Sequence, residues 1–284
     1  MTHCIPVRVQ LDSYFYNIIG DHRGGFGRVW LLERPQGAEV GAIYGRHRAV
    51  KTFEGQDQAA VVAELSNWIL LHHPSILPLI KISRLNFRIA AMMEMRQGTM
   101  EDVLLLRTLS WDDTRTVLIQ VCDALRYAYE QHQLAHLDIK PSNILIDELP
   151  YKIQVSDWGI SRLMHKGKIS GPGPGTPRYV APERLQDKPT SGASADIFAV
   201  GMVAIYALSG MLPYLYLNEA KAGTLWQQTS VQLLSGAYYQ HAQKILKPFS
   251  RAIRDVVLSC IHPNPAQRHA DYDKLLDVLR RAAA

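Results

Sequence analysis

The stretch HLDIKPSN, residues 136–143, decides the fold class of this chain. It places Asp138, Lys140 and Asn143 at fixed offsets in one short loop, and Asp157, which opens the triplet DWG, follows fourteen residues later. Phosphoryl transfer needs a carboxylate that orients the attacking hydroxyl, and it needs oxygen ligands for the metal ion that bridges the phosphates. Asp138 is the candidate for the first role, and Asn143 and Asp157 are the candidates for the second. Lys140 can neutralise charge on the group that is transferred.

A basic and an acidic residue upstream of this loop fit the same chemistry. Lys51 ends the strand-like stretch AVK and can reach the α and β phosphates of a nucleotide if a carboxylate holds it. Glu64, in the helical pattern DQAAVVAEL, is the candidate carboxylate. Taken alone, the pair is better explained as a surface salt bridge, which contributes little stability. The correct order of this pair and the downstream loop favours the phosphate interpretation.

A glycine-rich stretch, IIGDHRGGFGRV at residues 18–29, precedes the lysine. Glycines allow backbone N–H groups to approach a phosphate closely because no Cβ intervenes. Gly24, Gly25 and Gly27 are the candidates for this contact. An ordinary hairpin turn explains the same composition, so the glycine stretch alone is weak evidence.

With these motifs in this order, the chain resembles the eukaryotic-type (Hanks-type) protein kinases over essentially its whole length. The segment GTPRYVAPE, residues 175–183, is similar to the end of a Ser/Thr kinase activation segment, and it contains Thr176. Asp196 and Gly201, in SADIFAVG, resemble the family's buried anchor helix. Arg268 resembles the arginine that forms a structural ion pair with the glutamate of APE, here Glu183.

The resemblance implies a protein Ser/Thr kinase that transfers the γ-phosphoryl group of ATP, with Mg²⁺, to hydroxyls of a protein substrate. Its catalytic residues would be Asp138, Lys140, Lys51 and Glu64, and its metal ligands Asn143 and Asp157. The residues implied for nucleotide binding are Gly24, Gly25, Gly27, Val29, Ala49, Lys51, Glu94, Arg96 and Leu145. Val29 and Ala49 would cover the adenine, Leu145 would lie beneath it, and backbone groups of Glu94 and Arg96 would bond it. Met93 would be the gatekeeper, and a stack between the lobes would comprise Leu79, Trp68, Trp158 and His136.

The predicted fold is α+β and bilobal, with a β-rich N-lobe that contains one main helix and an α-rich C-lobe. One kinase domain is predicted over residues 1–284, with the N-lobe at about 14–94 and the C-lobe at 95–281. In the N-lobe, hydrophobic patterns predict strands at 29–33, 47–53, 76–82 and 87–95 and a helix at 57–71. In the C-lobe they predict helices at 110–131, 194–208, 249–260 and 271–281 and short strands at 143–147 and 151–156.

Three positions depart from the family pattern. His22 stands where the family has its first glycine, so either the loop carries a two-residue insertion after Gly20 or that glycine is lost. Leu137 replaces the arginine that normally pairs with an activation-loop phosphate. We therefore predict a non-RD kinase, one that lacks this arginine and does not depend on that switch. Trp158 replaces the phenylalanine of the metal-binding triplet, which we interpret as a variation in packing.

The predicted activation segment has no acidic residue between Asp157 and Glu183. Its basic residues are Arg162, Lys166, Lys168 and Arg178. A solvated loop explains this composition, and a docking surface for an acidic or already phosphorylated partner is the alternative. Phosphorylation at Ser161, Ser170 or Thr176 remains compatible with the sequence, but its effect would have to run through groups other than Leu137.

The bulk composition argues against several other classes of protein. With 47% apolar residues, a sizeable core forms without a metal or a disulfide framework. The three cysteines (Cys4, Cys122 and Cys260) lie far apart and form no CxxC pair, so we expect unpaired thiols in a reducing compartment. A net charge of +5 without lysine-rich tracts predicts no nucleic-acid partner. We find no secretory signal and no membrane-length apolar run, and so expect no membrane partner and a cytoplasmic protein, or an effector that acts in a host cytosol.

Two other interpretations stay open at this stage. A pseudokinase, which would bind nucleotide or act as a scaffold without turnover, is supported by the irregular glycine stretch alone. A small-molecule kinase with the same fold is disfavoured by the well-formed APE segment, which the family uses to hold a peptide. The oligomeric state cannot be read from the sequence.

Overall fold

In a computed structural model of the chain, the described residues are 8–11, 14–24, 27–35, 46–53, 57–86, 88–147, 151–158, 162–163, 168–169, 175–186, 189–214 and 222–282. The chain divides into two compact units, Met1–Gln97 and Gly98–Ala284. The first unit is rich in strands and contains one helix, whereas the second is rich in helices. This mixed α+β architecture confirms the fold class that the sequence predicted.

The first unit is a closed antiparallel barrel around a compact apolar core. Its strands are β1 (Arg8–Leu11), β2 (Tyr14–Gly24), β3 (Gly27–Glu33), β4 (His47–Thr52), β5 (Leu79–Leu85) and β6 (Arg88–Glu94), and its helix is α1 (Gln58–Trp68). They pair in the order β1-β2-β3-β4-β6-β5, and Leu11 opposite Leu85 closes the barrel. Because alternate side chains of a strand point to opposite faces, one set fills the interior. Its buried members are Val9, Leu11, Tyr16, Leu32, Val50, Leu85, Ala90 and Met92.

Several boundaries in the first unit differ from those predicted, by three residues at the end of α1 and at both ends of β5. The helix ends at Trp68, three residues early, where the indole Nε1 donates a 2.8 Å hydrogen bond to the carbonyl of Leu77. Strand β5 begins at Leu79, three residues late, because Pro78 has no N–H to donate to a ladder. The sequence analysis also did not predict β1 or β2 as separate strands, because it interpreted the glycine-rich part of β2 as a loop.

The second unit surrounds a central helix. Its helices are α2 (Met100–Leu106), α3 (Trp111–His132), α4 (Gly192–Ser209), α5 (Ala222–Ser235), α6 (Ala237–Ile245), α7 (Arg251–Cys260) and α8 (Tyr272–Arg281). Its short strands are β7 (Gly98–Thr99), β8 (Leu134–Ala135), β9 (Ile144–Ile146), β10 (Ile153–Val155), β11 (Arg162–Leu163), β12 (Lys168–Ile169) and β13 (Thr190–Ser191). Strand β9 pairs with β7 and β10, β8 pairs with β11, and β12 pairs with β13. The four predicted helices correspond to α3, α4, α7 and α8, whereas α2, α5 and α6 were not predicted.

Capping residues set where two of these helices begin. The Ser110 hydroxyl accepts a hydrogen bond from the Asp113 N–H and so caps α3. A full capping box opens α2: the Thr99 hydroxyl accepts from the Asp102 N–H, and the Asp102 carboxylate accepts from the Thr99 N–H. Such a box satisfies two N–H groups that the first helical turn leaves unpaired.

Helix α4 lies in the centre of the second unit. By length and composition alone it could cross a membrane, but 89% of it is buried against other elements, as expected of a core helix. Gly201 brings it against the end of α7, because a Cβ at this position would lie 2.6 Å from the Cys260 Cβ and from an Ile261 methyl group. Real side chains do not approach so closely, so glycine is required here by packing.

Candidate phosphotransfer site

The loop that connects β8 to β9 brings the predicted catalytic residues of the second unit together. The buried Asp138 carboxylate accepts four hydrogen bonds from three residues. Its Oδ1 accepts from the Thr176 N–H at 3.0 Å and from the Thr176 hydroxyl at 2.7 Å. Its Oδ2 accepts from Lys140 Nζ at 2.7 Å and from Asn143 Nδ2 at 3.1 Å. Because every partner donates, the geometry is that of an ionised carboxylate.

The Thr176 hydroxyl lies in this network at the position that the hydroxyl of another molecule would need in order to contact both Asp138 and Lys140. Its hydroxyl donates to Asp138 and accepts from Lys140 Nζ at 2.8 Å. A hydroxyl group beside Asp138 is thereby held between a proton acceptor and a cation. This is the pair of groups that assists attack of a hydroxyl on a phosphoryl group.

Asn143 and Asp157, the predicted metal ligands, flank strands β9 and β10. The Asn143 amide nitrogen donates to the Asp138 carbonyl at 2.8 Å and to its carboxylate, which leaves the Asn143 Oδ1 as the oxygen ligand of this amide. Asp157 adopts a left-handed backbone with φ of 63°. Mg²⁺ needs only one or two protein oxygens besides phosphate and water, so this donor set fits it. Among the described residues, no three His, Cys, Asp or Glu side chains form a metal cluster of their own.

The His136 side chain stabilises this loop through two hydrogen bonds. Its Nδ1 accepts a hydrogen bond from the Asp138 N–H at 3.2 Å, so its Nε2 carries the proton and donates to the Ser156 carbonyl at 3.0 Å. The imidazole is fully buried and packs edge-on against Trp158, with ring centroids 4.6 Å apart. The Trp158 indole donates to the Val155 carbonyl at 3.2 Å. These contacts join the catalytic loop to the segment that carries Asp157.

The backbone of the loop is anchored on α4. The Asp196 carboxylate accepts from the His136 N–H at 2.9 Å and from the Leu137 N–H at 2.7 Å. Leu137 has a left-handed φ of 69°, which costs a residue with a Cβ about 1–2 kcal/mol. Burial raises the pKa of Asp196, and the hydrogen bonds that it accepts act in the opposite direction. All three of its partners are donors, a pattern that favours the ionised form.

The end of the APE segment is held by the predicted ion pair. Arg268 and Glu183 form a bidentate contact, with nitrogen–oxygen distances of 2.6 and 2.8 Å. The remaining donors of Arg268 reach the Ser194 carbonyl and hydroxyl and the His262 carbonyl. Its guanidinium also lies over the Phe198 ring, 5.0 Å from the centroid. The sequence prediction of a buried structural pair is confirmed.

Three predicted nucleotide residues of the first unit lie on neighbouring strands. Val29 on β3 is opposite Lys51 on β4, and Ala49, two residues before Lys51, is opposite Met93 on β6. Lys51 is 6% exposed, and its Nζ lies 5.4 Å from the centroid of the Phe53 ring. The backbone of Glu64 lies in α1, but its side chain is outside the described residues, so its pairing with Lys51 stays a prediction.

Strands β2 and β3 carry the glycine-rich stretch and pair as far as Gly24 opposite Gly27. Gly25 and Phe26 lie outside the described residues. The ladder keeps one register from Gly20 to Gly24, and its only shift among the described pairs falls between Ile18 and Gly20. Within this register His22 lies opposite Val29. The replacement of the family's first glycine by His22 stays a prediction, as does its alternative, a two-residue insertion after Gly20.

Gly27 has a structural role that the sequence analysis missed. Its φ of +143° is open to glycine alone, and a Cβ would lie 2.0 Å from the Thr52 carbonyl oxygen. The position therefore requires glycine for the close approach of β3 to the end of β4, whether or not a phosphate is bound.

The remaining predicted residues are distributed as follows. In the first unit, Glu94 ends β6 and its carboxylate pairs with Arg96 at 3.2 Å. In the second unit, Leu145 lies on β9 opposite Gln154 and Thr99. The stack predicted between the lobes has Leu79 and Trp68 in the first unit and His136 and Trp158 in the second, and as a continuous stack it stays a prediction. Of the basic activation-segment residues, Arg178 alone has a described side chain; Lys166, Ser161 and Ser170 lie outside the described residues.

A model of the protein kinase domain matches residues 16–277 of the chain. The chain therefore belongs to the protein kinase family, as its motifs predicted. It is 29% identical to the carbon catabolite-derepressing protein kinase of Candida tropicalis over 67% of the chain and 30% of that protein. It is 28% identical to the CBL-interacting protein kinase 21 of Oryza sativa subsp. japonica, over 86% of the chain and 45% of that protein. It is 26% identical to the CBL-interacting serine/threonine-protein kinase 9 of Arabidopsis thaliana, over 86% of the chain and 53% of that protein. The chain thus spans about half of the relatives' length or less.

Proposed function

We propose that this protein is an active Ser/Thr protein kinase, which transfers the γ-phosphoryl group of ATP to protein hydroxyls. The network around Asp138 carries the proposal. In it, the Thr176 hydroxyl donates to the Asp138 carboxylate at 2.7 Å and accepts from Lys140 Nζ at 2.8 Å. A substrate serine or threonine that replaced the Thr176 hydroxyl would meet the same acceptor and the same cation.

The residues present fit ATP and Mg²⁺ as cofactors. The metal ion would supply charge neutralisation on the phosphates, and Asn143 and Asp157 would hold it through oxygen atoms. Lys51, held in the ladder of β4, would supply a cation for the phosphates, and Glu64 would orient it. The residue proposed to orient the attacking hydroxyl and take its proton is Asp138.

We also propose that activation does not depend on a phosphate bound next to the catalytic aspartate. Leu137 has an apolar side chain that is 7% exposed, so it offers no donor to a phosphate. A phosphate on Thr176 would bring about two negative charges against the Asp138 carboxylate, which opposes binding of the substrate hydroxyl. The sequence is compatible with phosphorylation at Ser161, Ser170 or Thr176. In this proposal, phosphorylation of Thr176 does not activate the kinase.

The activity is tested by incubating the protein with labelled ATP, Mg²⁺ and a generic protein substrate and measuring the phosphate that is incorporated. Asp138→Asn keeps the shape of the side chain and removes its basicity, and Asp255→Asn, at an exposed position of α7, is the matched control. Incorporation by the native chain and the control, but not by Asp138→Asn, is the expected result. Equal incorporation by all three proteins, or none by any, would refute the proposal.

A pseudokinase is the second candidate, and His22 is the observation that favours it. A side chain at the place of the first glycine narrows the approach of a phosphate to the β2 backbone. Under this alternative, Mg²⁺-ATP raises the melting temperature of the chain while no phosphate is transferred. His22→Gly would then raise the affinity for ATP without creating turnover.

The proposed partners are protein substrates with serine or threonine acceptors. The basic activation segment makes acidic or phosphorylated flanking residues our preferred substrate class, and a peptide array without any preference for acidic flanks would contradict this. A cytoplasmic site of action is proposed because Cys122 and Cys260 are free and buried, and burial raises the pKa of both thiols. The names of two relatives mention CBL proteins; those kinases are about twice as long as the matched region, and no such partner is proposed for this chain.

A further inference from the structure

The Asp196 carboxylate that anchors the catalytic loop has a third partner, on the last helix of the second unit. The Tyr272 hydroxyl donates to Asp196 Oδ2 at 3.1 Å, alongside the His136 N–H. Tyr272 is the first residue of α8 and is 2% exposed. Its ring packs edge-on against Tyr129 of α3, with centroids 5.9 Å apart.

We propose that Tyr272 is a positioning residue for phosphoryl transfer, which acts through Asp196 on the backbone of the catalytic loop. The proposal rests on the kinase activity proposed above. Tyr272 touches no reacting group itself. It fixes the carboxylate that in turn holds the N–H groups of His136 and Leu137, immediately before Asp138.

The Tyr272 hydroxyl helps to fix the orientation of the Asp196 carboxylate. Asp196 is fully buried, so each donor to its carboxylate replaces water that cannot enter. Oδ1 is bonded by the Leu137 N–H, whereas Oδ2 is shared between the His136 N–H and Tyr272. Without the hydroxyl, Oδ2 keeps one donor, and the carboxylate is free to rotate away from the geometry that holds both backbone groups.

The strain in the loop makes it sensitive to such a rotation. Leu137 has a φ of 69° and reaches this conformation while its N–H is bonded to Asp196 at 2.7 Å. A strained backbone persists when its surroundings over-determine it. Removal of one of three donors loosens that constraint directly before the catalytic residue, and small displacements of catalytic groups reduce turnover strongly.

The position of Tyr272 is itself set by a helix cap. Asp271 is the N-cap residue of α8, and its carboxylate accepts from the Lys274 N–H at 2.8 Å. The cap fixes the first turn of α8 and with it the tyrosine. Helix α8 therefore carries a residue that contacts the anchor of the catalytic loop, Asp196, 76 positions away in sequence.

Tyr272→Phe is the test variant, because it retains the ring and its packing and removes the hydroxyl alone. Tyr238→Phe is the matched control: Tyr238 is also buried in the second unit, and its hydroxyl donates a 2.9 Å bond to the Ile261 carbonyl, away from the catalytic loop. The measurements are kcat and KM for ATP with a generic protein substrate, and hydrogen exchange of the peptide that contains His136 and Leu137.

We expect Tyr272→Phe to lower kcat by about fivefold with KM for ATP unchanged, and to accelerate exchange in the peptide at 134–140. Tyr238→Phe should leave both quantities at the native level even if it lowers the melting temperature equally. Native kcat and native exchange in Tyr272→Phe would overturn the proposal, as would equal effects of the two variants. If the native chain has no turnover, the proposed function fails, whereas the exchange comparison still decides whether Tyr272 positions the loop.

Discussion

Removing the charge of Glu183 tests how the second unit is held together. Arg268 has no exposed side-chain surface and the Glu183 side chain is 13% exposed. Breaking one partner of a buried pair costs about 3–5 kcal/mol, because the other charge remains buried. The partial exposure of Glu183 places Glu183→Gln near the lower end, at about 3 kcal/mol. A glutamine also turns an N–H group toward the guanidinium, where the native carboxylate offers two acceptors.

Thermal unfolding measures this loss. For a unit of this size, about 1 kcal/mol corresponds to roughly 2–4 °C, so we expect the melting temperature of Glu183→Gln to fall by roughly 6–12 °C. The control is Asp255→Asn, which removes an exposed ion pair with Arg251 at 3.5 Å on α7. Exposed pairs contribute little, so the control should melt at the native temperature. Equal melting temperatures for the two variants would refute the assignment of Glu183 as a structural anchor.

Three further variants test the roles of Gly27, Thr176 and His269. Gly27→Ala should lower the melting temperature of the nucleotide-free protein, because its Cβ meets the Thr52 carbonyl at 2.0 Å; a native melting temperature would contradict the structural role of this glycine. Thr176→Ser should retain activity, whereas Thr176→Glu should lower kcat at least about tenfold (~1.4 kcal/mol) through repulsion from Asp138, and equal rates would refute the network. Burial lowers the pKa of His269, so its contribution to stability is present above the ordinary pKa of histidine and is lost as the pH falls toward the folded value. Melting temperatures at pH 7.5 and 5.5 should therefore differ more for the native protein than for His269→Gln, and equal differences would contradict this.

The sequence predicted those parts of the site that are local along the chain. Asp138, Lys140 and Asn143 fall within six residues, so their offsets in one loop already place them together. Helices α3 and α8 were predicted to within one residue at either end, because their apolar positions recur at helical spacing.

Contacts between residues far apart in sequence were predicted only from the resemblance to protein kinases, as for the ion pair of Glu183 and Arg268. The bonds from Thr176 to Asp138 and from Tyr272 to Asp196 join residues 38 and 76 positions apart. No periodicity or composition specifies which hydroxyl reaches which carboxylate. The short helices α5 and α6 were missed because their apolar residues do not form one long periodic stripe, and their boundary is a glycine with a left-handed φ of 74°.

The anchoring of the catalytic loop explains how Leu137 replaces an arginine without disturbing Asp138. The left-handed conformation of residue 137 is held through its backbone N–H, which Asp196 accepts, and not through its side chain. His136 likewise contributes its backbone N–H to Asp196 and its ring to the N–H of Asp138. The hydrogen bond that holds the backbone of residue 137 therefore does not involve its side chain. The hydrogen bonds that hold the Asp138 carboxylate come from Thr176, Lys140 and Asn143 of the second unit and not from residue 137, in keeping with the proposal that activation does not depend on a phosphate bound there.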